Sequence, residues 1–184
     1  AQAFRAPGSR AALSKLRVAA SFHSVMGLPK AAWCSQEDLA MLTPSRAAVY
    51  QLLYSVPRGR VTTYGIVADV LGSCGQAVGQ ACRSNPFYPI VPCYRIVKSD
   101  GALGGLFGET SPEDPMVKKK VRFLRGEGIV VKDGRLPNFS SCCHRFSPSQ
   151  RAAALRVKNA LERSRCKRTR SKVKTKKTRM RGKR

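Results

Sequence analysis

The chain has 184 residues, which is enough for one domain with extensions and too few for two ordinary domains. Its hydrophobic content of 42% allows a folded core and excludes disorder throughout. No apolar run approaches the roughly 18 residues of a membrane span, so we expect no membrane contact. Lys and Arg number 35 against 10 Asp and Glu, and the net charge of +25 indicates a polyanionic partner, nucleic acid first.

The N-terminal residues 1–42 are interpreted as an extension that is either a targeting segment or partly folded. Residues 1–35 carry basic side chains among Ala and Ser, a composition that resembles a mitochondrial transit peptide. A basic leader without a targeting role is the alternative. Together with the basic C-terminus, this leaves open the nucleus, the DNA-associated cytoplasm of a prokaryote, or mitochondrial import.

Seven cysteines fit no disulfide framework, and no secretory signal is visible, so we expect a reducing compartment. Cys142, Cys143 and His144 lie together in the sequence, but no second pair completes a four-ligand set. We therefore predict no metal site.

Four helices are predicted in the central region. Thr43 and Pro44 form a typical helix start, and the helix has one apolar face through Val49, Leu52, Leu53 and Val56. Thr62 or Thr63 caps a second helix that ends at Gly72. A third short helix covers about residues 75–83, and the last two form a helix-turn-helix. The Ser-x-x-Asp pattern at Ser111 predicts the start of a fourth helix, and Asp133-Gly134 predicts a hairpin over residues 129–136.

The excess charge is concentrated at the C-terminus. Residues 151–184 hold 16 Lys and Arg and a single acid, Glu162. Residues 148–163 predict a basic helix whose apolar positions are Ala152, Leu155, Val157 and Leu161. From Cys166 onward the chain has almost no apolar residue, so we expect a disordered arm that contacts DNA phosphates. A solubilising tail or a nuclear localisation signal is the alternative.

Pro-Cys-Tyr-Arg-Ile-Val at residues 92–97 is the most informative motif. It resembles the Pro-Cys-His-Arg-Val box of the O6-alkylguanine-DNA alkyltransferases. Similar segments occur in the same order at residues 61–64, 77–86, 99–105 and 123–128. The resemblance covers roughly residues 44–138, about half the chain. It implies a mainly α fold, a winged helix-turn-helix-like DNA-binding domain with short strands at 43–140, flanked by the extension at 1–42 and a disordered basic tail at 141–184.

The resemblance also implies a reaction. Cys93 would displace the alkyl group from O6 of guanine in one SN2 step and keep it as a stable thioether, so each molecule would react once. In the family a histidine beside the cysteine relays the proton through water, and a glutamate holds that histidine. The matching residues here are Tyr94 and Glu127. Tyr64 is the implied donor to the flipped base, and Asn85 the implied brace of the turn that holds Cys93. No cofactor is implied.

The implied partner is double-stranded DNA that contains O6-alkylguanine, bound by a monomer. The target base must be flipped out of the stack, and the helix at about 75–83 would lie in the minor groove. The implied DNA-binding residues are Thr63, Gln76, Ala77, Gly79, Arg83 and Arg95; Arg95 is also expected to support the site from behind. The implied substrate-pocket residues are Ile96, Gly104, Leu106 and Phe107.

Three positions depart from the family pattern. Tyr94 stands where the box has histidine, and a phenol with a pKa near 10 is a poor base at neutral pH. It would hydrogen-bond a water or the thiol, or be a simple replacement. Gln76 stands where the family has an arginine, and Leu106 replaces an aromatic residue. Two alternatives therefore remain: a lesion-binding protein that recruits another repair pathway without transfer, and a basic DNA-binding protein indifferent to lesions. The presence of Cys93 favours the enzyme.

Overall fold

The computed structural model describes residues 31–181. Its elements in chain order are α1 (Gln36–Met41), α2 (Pro44–Tyr54), β1 (Thr62–Thr63), α3 (Tyr64–Leu71), α4 (Gly75–Arg83), a 3-10 helix (Cys93–Arg95), β2 (Ile96–Val97), α5 (Pro115–Gly126), α6 (Phe139–Cys142) and α7 (Pro148–Arg181). The predicted mainly α fold with short strands is confirmed. The transit-like composition of residues 1–30 lies outside the described residues. Within the described range, no helix combines the length and apolarity of a membrane span.

Threonine caps start the two helices that frame the site. Thr43 Oγ1 accepts a hydrogen bond from Arg46 N at 3.3 Å, and Pro44 occupies the first turn of α2. Thr63 Oγ1 accepts from Ile66 N at 3.1 Å at the start of α3. Gly72 ends α3 with a φ of 58°, and α4 begins three residues later, which confirms the predicted helix-turn-helix.

A two-stranded parallel sheet joins the start of α3 to the site. Thr62 pairs with Ile96 and Thr63 with Val97. Because β2 begins directly after the 3-10 helix, this pairing holds the 3-10 helix beside the start of α3. The neighbouring Val61 exchanges backbone hydrogen bonds with the segment after α6, from Val61 N to Cys142 O at 2.9 Å and from His144 N to Val61 O at 2.6 Å. The cysteine and histidine cluster therefore closes this edge through its backbone.

The first half of α7 is part of the main hydrophobic core. Ala154, Val157 and Leu161 are buried against the cluster that contains the apolar face of α2. The predicted apolar position Leu155 is instead 37% exposed. From the other end of the chain, Trp33 is buried and its Nε1 donates to Gln51 Oε1 at 3.0 Å. The described part of the N-terminal extension is thus folded onto α2.

Three expectations are corrected by the structure. The helix expected from Ser111 begins at Pro115, because Asp114 is the residue whose side chain accepts from Met116 N, at 2.7 Å. Asp133 and Gly134 form the predicted turn with φ of 49° and 70°, but only an isolated bridge between Lys132 and Arg135 flanks it, not two strands.

The third correction concerns the C-terminus. Disorder was expected from Cys166, whereas α7 continues to Arg181, the last described residue. Lys and Arg are good helix formers, and the packed turns up to Leu161 have already met the cost of helix nucleation.

Truncating Leu161 tests the integration of α7. Leu161→Ala should lower the free energy of unfolding by about 2–5 kcal/mol, because it leaves a cavity beside α2. Leu155→Ala, a matched change on the exposed side of the same helix, should cost far less. Urea unfolding of both variants measures the difference, and equal losses would contradict the packing of α7.

Candidate active site

Cys93 is buried in the 3-10 helix that precedes β2. The residue is 1% exposed, and the side-chain amide of Asn85 donates to its Sγ at 2.9 Å. The same amide nitrogen donates to Val91 O at 3.0 Å, and Asn85 Oδ1 accepts from Phe87 N at 2.9 Å. Asn85, buried just after α4, thus ties the chain before Cys93 to the sulfur itself. This is the arrangement expected of the predicted brace.

Glu127, the C-cap of α5, joins three segments of the chain. Its carboxylate accepts from Tyr94 Oη at 2.8 Å, from Arg95 Nη2 at 2.6 Å and Nε at 3.0 Å, and from Gly59 N at 3.2 Å. Arg95 Nη1 also donates to Val56 O at 2.7 Å, just after α2. Partial burial acts to raise the pKa of Glu127, but the hydrogen bonds from Arg95, Tyr94 and Gly59 outweigh it and lower this pKa.

Tyr94 is a structural partner of Glu127 in this site. Burial, together with the hydrogen bond to Glu127, raises the pKa of Tyr94 to about 12. Its hydroxyl proton points to the carboxylate, and its ring stacks on Phe123 at 4.8 Å between centroids. The predicted pairing of positions 94 and 127 is present. However, the hydroxyl proton bonds to the carboxylate and not to the Cys93 thiol.

Tyr64, the first residue of α3, packs with Cys93 and with the loop that follows β2. Burial, with a smaller contribution from the nearby Cys82 and Cys93, raises its pKa, so the phenol stays protonated. A Cβ built on Gly104 would lie 3.6 Å from the Tyr64 ring, which shows how closely this loop approaches. The other predicted pocket residues, Ile96, Leu106 and Phe107, pack in the same cluster as Cys93.

Lys120 is a residue of the site that sequence reasoning missed. It is 0% exposed, and its Nζ donates to Ile96 O at 2.7 Å, to Leu103 O at 2.5 Å and to Gly105 O at 3.2 Å. Burial lowers its pKa to about 8. Lys120 therefore links β2 to the loop that follows it, through Leu103 and Gly105. In the sequence it stands in a Lys-Lys-Lys run typical of solvent, and only its helical spacing from Val117 and Leu124 indicated the buried face.

Tyr88 is a second residue that the sequence did not single out. Its ring packs edge-on against the rings of Phe107 and Phe123, with centroid distances of 5.1 Å and 5.9 Å. It therefore connects α5 with the loop after β2 that carries the predicted pocket residues at 104–107, here called the pocket loop. Its hydroxyl is buried without a hydrogen-bond partner among the described residues. No short motif marks such a wall residue in a sequence.

Helix α4, the helix expected to lie in the minor groove, presents the predicted polar and small residues on its surface. Gln76, Ala77 and Arg83 are exposed and Gly79 is partly exposed, whereas Val78, Ala81 and Cys82 face the core. The Arg83 guanidinium lies over Gly108, where any Cβ would overlap it. Arg83 therefore packs against the pocket loop, and the φ of 98° at Gly108 favours glycine at that point.

Two predicted DNA contacts are corrected. Thr63 is buried and its hydroxyl caps α3, so it does not reach the surface. The Arg95 side chain is 13% exposed and its guanidinium is engaged by Glu127 and Val56 O. Its role in this fold is the predicted support behind Cys93, because its charge is neutralised by a carboxylate inside the protein.

Comparison with known proteins agrees with this geometry. Residues 44–129 match the family model of the DNA-binding domain of 6-O-methylguanine DNA methyltransferase. The chain is 40% identical over 93 residues to the DNA base-flipping protein of Thermus thermophilus, covering 50% of this chain and 58% of the relative. It is 45% identical over 85 residues to the methylated-DNA–protein-cysteine methyltransferase of Pyrobaculum aerophilum, covering 45% of this chain and 53% of the relative.

A solved structure, the O6-methylguanine-DNA methyltransferase of Pyrococcus kodakaraensis, aligns with 48% of each chain at 39% identity and a TM-score of 0.40. The chain spans little more than half the length of the two relatives. The segment that matches the family model, residues 44–129, makes up a little under half of the chain. The recognised motif around Cys93 lies inside this segment.

Replacing Glu127 tests the site by its dependence on pH. Because hydrogen bonds hold its folded pKa below the ordinary value of 4.5, the carboxylate stabilises the fold above that pH. This contribution is lost as the pH falls through the folded pKa. Urea unfolding should show Glu127→Gln to be less stable than the parent at about pH 7, with the gap closing in acid. A gap independent of pH would contradict this assignment.

Proposed function

We propose that the protein repairs DNA by transferring the alkyl group of O6-alkylguanine, flipped out of the duplex, to Cys93 in a single turnover. The observation that carries this proposal is the buried Cys93 sulfur, held by the Asn85 amide at 2.9 Å inside a domain of the methyltransferase family. A fixed donor beside the sulfur orients it and is suited to the negative charge of a thiolate nucleophile.

The proposed transfer is one displacement. The Cys93 sulfur, having lost its proton, attacks the alkyl carbon; the S–C bond forms as the C–O6 bond breaks, and the bonding pair passes to guanine. Guanine takes up a proton at N1, so the net change exchanges the alkyl group for the thiol proton. In this proposal Tyr64, whose phenol burial keeps protonated, donates a hydrogen bond to the leaving base. The thioether is stable, which limits each molecule to one reaction.

We also propose how the duplex is bound. The exposed Gln76 and Ala77 and the partly exposed Gly79 allow α4 to approach the minor groove closely, and flipping brings the base to the buried Cys93. We propose binding by a monomer, with the basic C-terminal region on the phosphates. The place of action would be wherever DNA is held, a nucleus or the cytoplasm of a prokaryote.

A second candidate is lesion binding without transfer. The observation in its favour is that the Tyr94 hydroxyl, with a pKa raised to about 12, donates to Glu127 and does not act as a base toward Cys93. The relative from Thermus thermophilus is named a base-flipping protein. On this proposal the same pocket would hold the flipped base and present the site to another repair pathway.

Intact mass after mixing with duplex DNA containing one O6-methylguanine decides between the candidates. Transfer predicts a single added methyl group on the protein, mapped to Cys93 by peptide analysis. Cys93→Ala should gain no mass and still bind DNA, whereas Cys74→Ala, an exposed cysteine at the start of α4, should still be methylated.

Absence of added mass with preference for the lesion would support the second candidate. Absence of both would leave a basic DNA-binding protein and would overturn the two proposals together. Methylation at Cys74 instead of Cys93 would contradict the assignment of the acceptor.

A further inference from the structure

Helix α7 runs antiparallel to α2 and ends its packed part near the helix-turn-helix. Gln150 Nε2 donates to Ser55 O at 2.9 Å, beside the C-terminus of α2. Two turns later Lys158 Nζ donates to Leu71 O at 3.4 Å, at the end of α3. Arg165 Nη2 then donates to Leu42 O at 3.3 Å, just before α2 begins. The packed part of α7 thus leads from the far end of α2 to the end beside the α3–α4 turn.

A groove of about 400 Å³ lies at that end. Its walls come from the first turns of α2, the turn between α3 and α4, one side of α4, and α7. Arg46 and Lys158 supply its charges, and none of its lining residues in the described chain is acidic. Ala77 and Gln80 of α4 belong to the same lining, so the groove is continuous with the exposed face of that helix.

The Lys158 ammonium group has hydrogen-bond donors left for a ligand in the groove. An ammonium group has three donors, and the hydrogen bond to Leu71 O uses one of them. Arg46, in the first turn of α2, also lines the groove and is exposed. Two cations in a groove that also contains serine and threonine side chains, and no acid among its described lining residues, are suited to bind a phosphate oxygen.

The basic C-terminal part of α7 extends beyond the packed core from the end of α2 that borders the groove. Beyond the contact between Arg165 and Leu42, α7 continues to Arg181, a length of about 24 Å at ~1.5 Å per residue. Residues 166–184 contain eleven Lys and Arg and no Asp or Glu. The strongly basic segment therefore begins close to the end of the groove. This segment lies outside residues 44–129, which match the family model.

We infer that the groove and the helical extension of α7 form a second DNA-binding surface, which holds the phosphate backbone of the duplex on one flank of α4. This inference rests on the proposed placement of α4 in the minor groove. Lys158 and Arg46 bind the phosphates nearest to α4, and the extension follows the backbone for about seven base pairs at ~3.4 Å each. The surface is asymmetric, because α7 lies on one side of the helix-turn-helix.

The salt dependence of binding to lesion-free duplex tests the groove. Each phosphate contact contributes close to one unit to the slope of log K against log salt, so Lys158→Ala and Arg46→Ala should each reduce it by about 1. Lys132→Ala, an exposed lysine in the turn after α5, is the matched control and should leave the slope unchanged. If Lys158→Ala and Lys132→Ala have the same slope, the groove does not bind phosphate.

Arg83→Ala separates this inference from the proposed function. A loss of slope in Arg83→Ala but not in Lys158→Ala would leave α4 on the DNA and overturn the groove. If the salt slope falls in Lys158→Ala and is unchanged in Arg83→Ala, the placement of α4 in the minor groove is wrong, although the groove itself binds phosphate. Methyl transfer plays no part in either measurement.

The length of flanking DNA tests the extension. Cys93→Ala binds a duplex with one O6-methylguanine without reacting, which fixes the register. Shortening one flank by about seven base pairs should weaken binding much more than shortening the other, and a chain ending at Arg165 should lose this asymmetry. Equal sensitivity of both flanks in the full chain would contradict the inference.

A helix-breaking variant separates a helical arm from a flexible charged tail. Ser171→Pro keeps every charge and breaks α7 beyond its packed part. It should keep most of the salt slope and lose the asymmetry between flanks. If Ser171→Pro keeps the asymmetry, charge alone places the DNA and the helical arm is wrong.

Discussion

The site depends on the hydrogen bonds by which the Glu127 carboxylate joins three segments of the chain. The carboxylate accepts hydrogen bonds from Tyr94 and Arg95, the two residues that follow Cys93, and from Gly59 in the segment between α2 and β1. The end of α5, the 3-10 helix and this segment are therefore fixed to each other at one point. Removing one partner of this partly buried ion pair leaves the other charge without its hydrogen bonds, which loosens the turn that carries the Cys93 sulfur.

This constraint explains the tyrosine in the cysteine box. A side chain at position 94 must reach the Glu127 carboxylate and fill the space against Phe123, and a phenol does both. Arg95 then supplies the positive charge that keeps the carboxylate ionised. The hydrogen bond that orients the sulfur comes from the other side, from Asn85. Position 94 contributes to holding the turn through Glu127, while Asn85 contacts the Cys93 sulfur directly.

The sequence predicted those parts of the fold that are determined locally. The caps at Thr43 and Thr63 and the left-handed Gly72 specify helix ends through contacts within a few residues. The resemblance to a known family located Cys93, Asn85 and Glu127. Contacts between distant segments were not predictable in this way.

The errors share that cause. Lys120 binds three carbonyl oxygens of β2 and the pocket loop, and although its helical spacing indicated the buried face, the sequence does not show these distant partners. The DNA contact that the resemblance implied for Arg95 is wrong, because its guanidinium binds a carboxylate that lies 32 residues away in the sequence. The tail was expected to be disordered from its composition, which does not reveal that Leu161 anchors the helix on the core.

The turn that carries Cys93 is held by Glu127 and Asn85, whereas the proposed DNA-binding surface lies on α4 and on the basic helix α7. The central claim is that Cys93 accepts the alkyl group while Tyr94 only holds Glu127. Its most direct test is the single-turnover rate of methyl transfer from O6-methylguanine duplex in the parent and in Tyr94→Phe, each confirmed to be folded. The account predicts transfer by both at rates within a few-fold of each other. Transfer by the parent alone would make the Tyr94 hydroxyl a participant in the reaction, and transfer by neither would remove Cys93 as the acceptor.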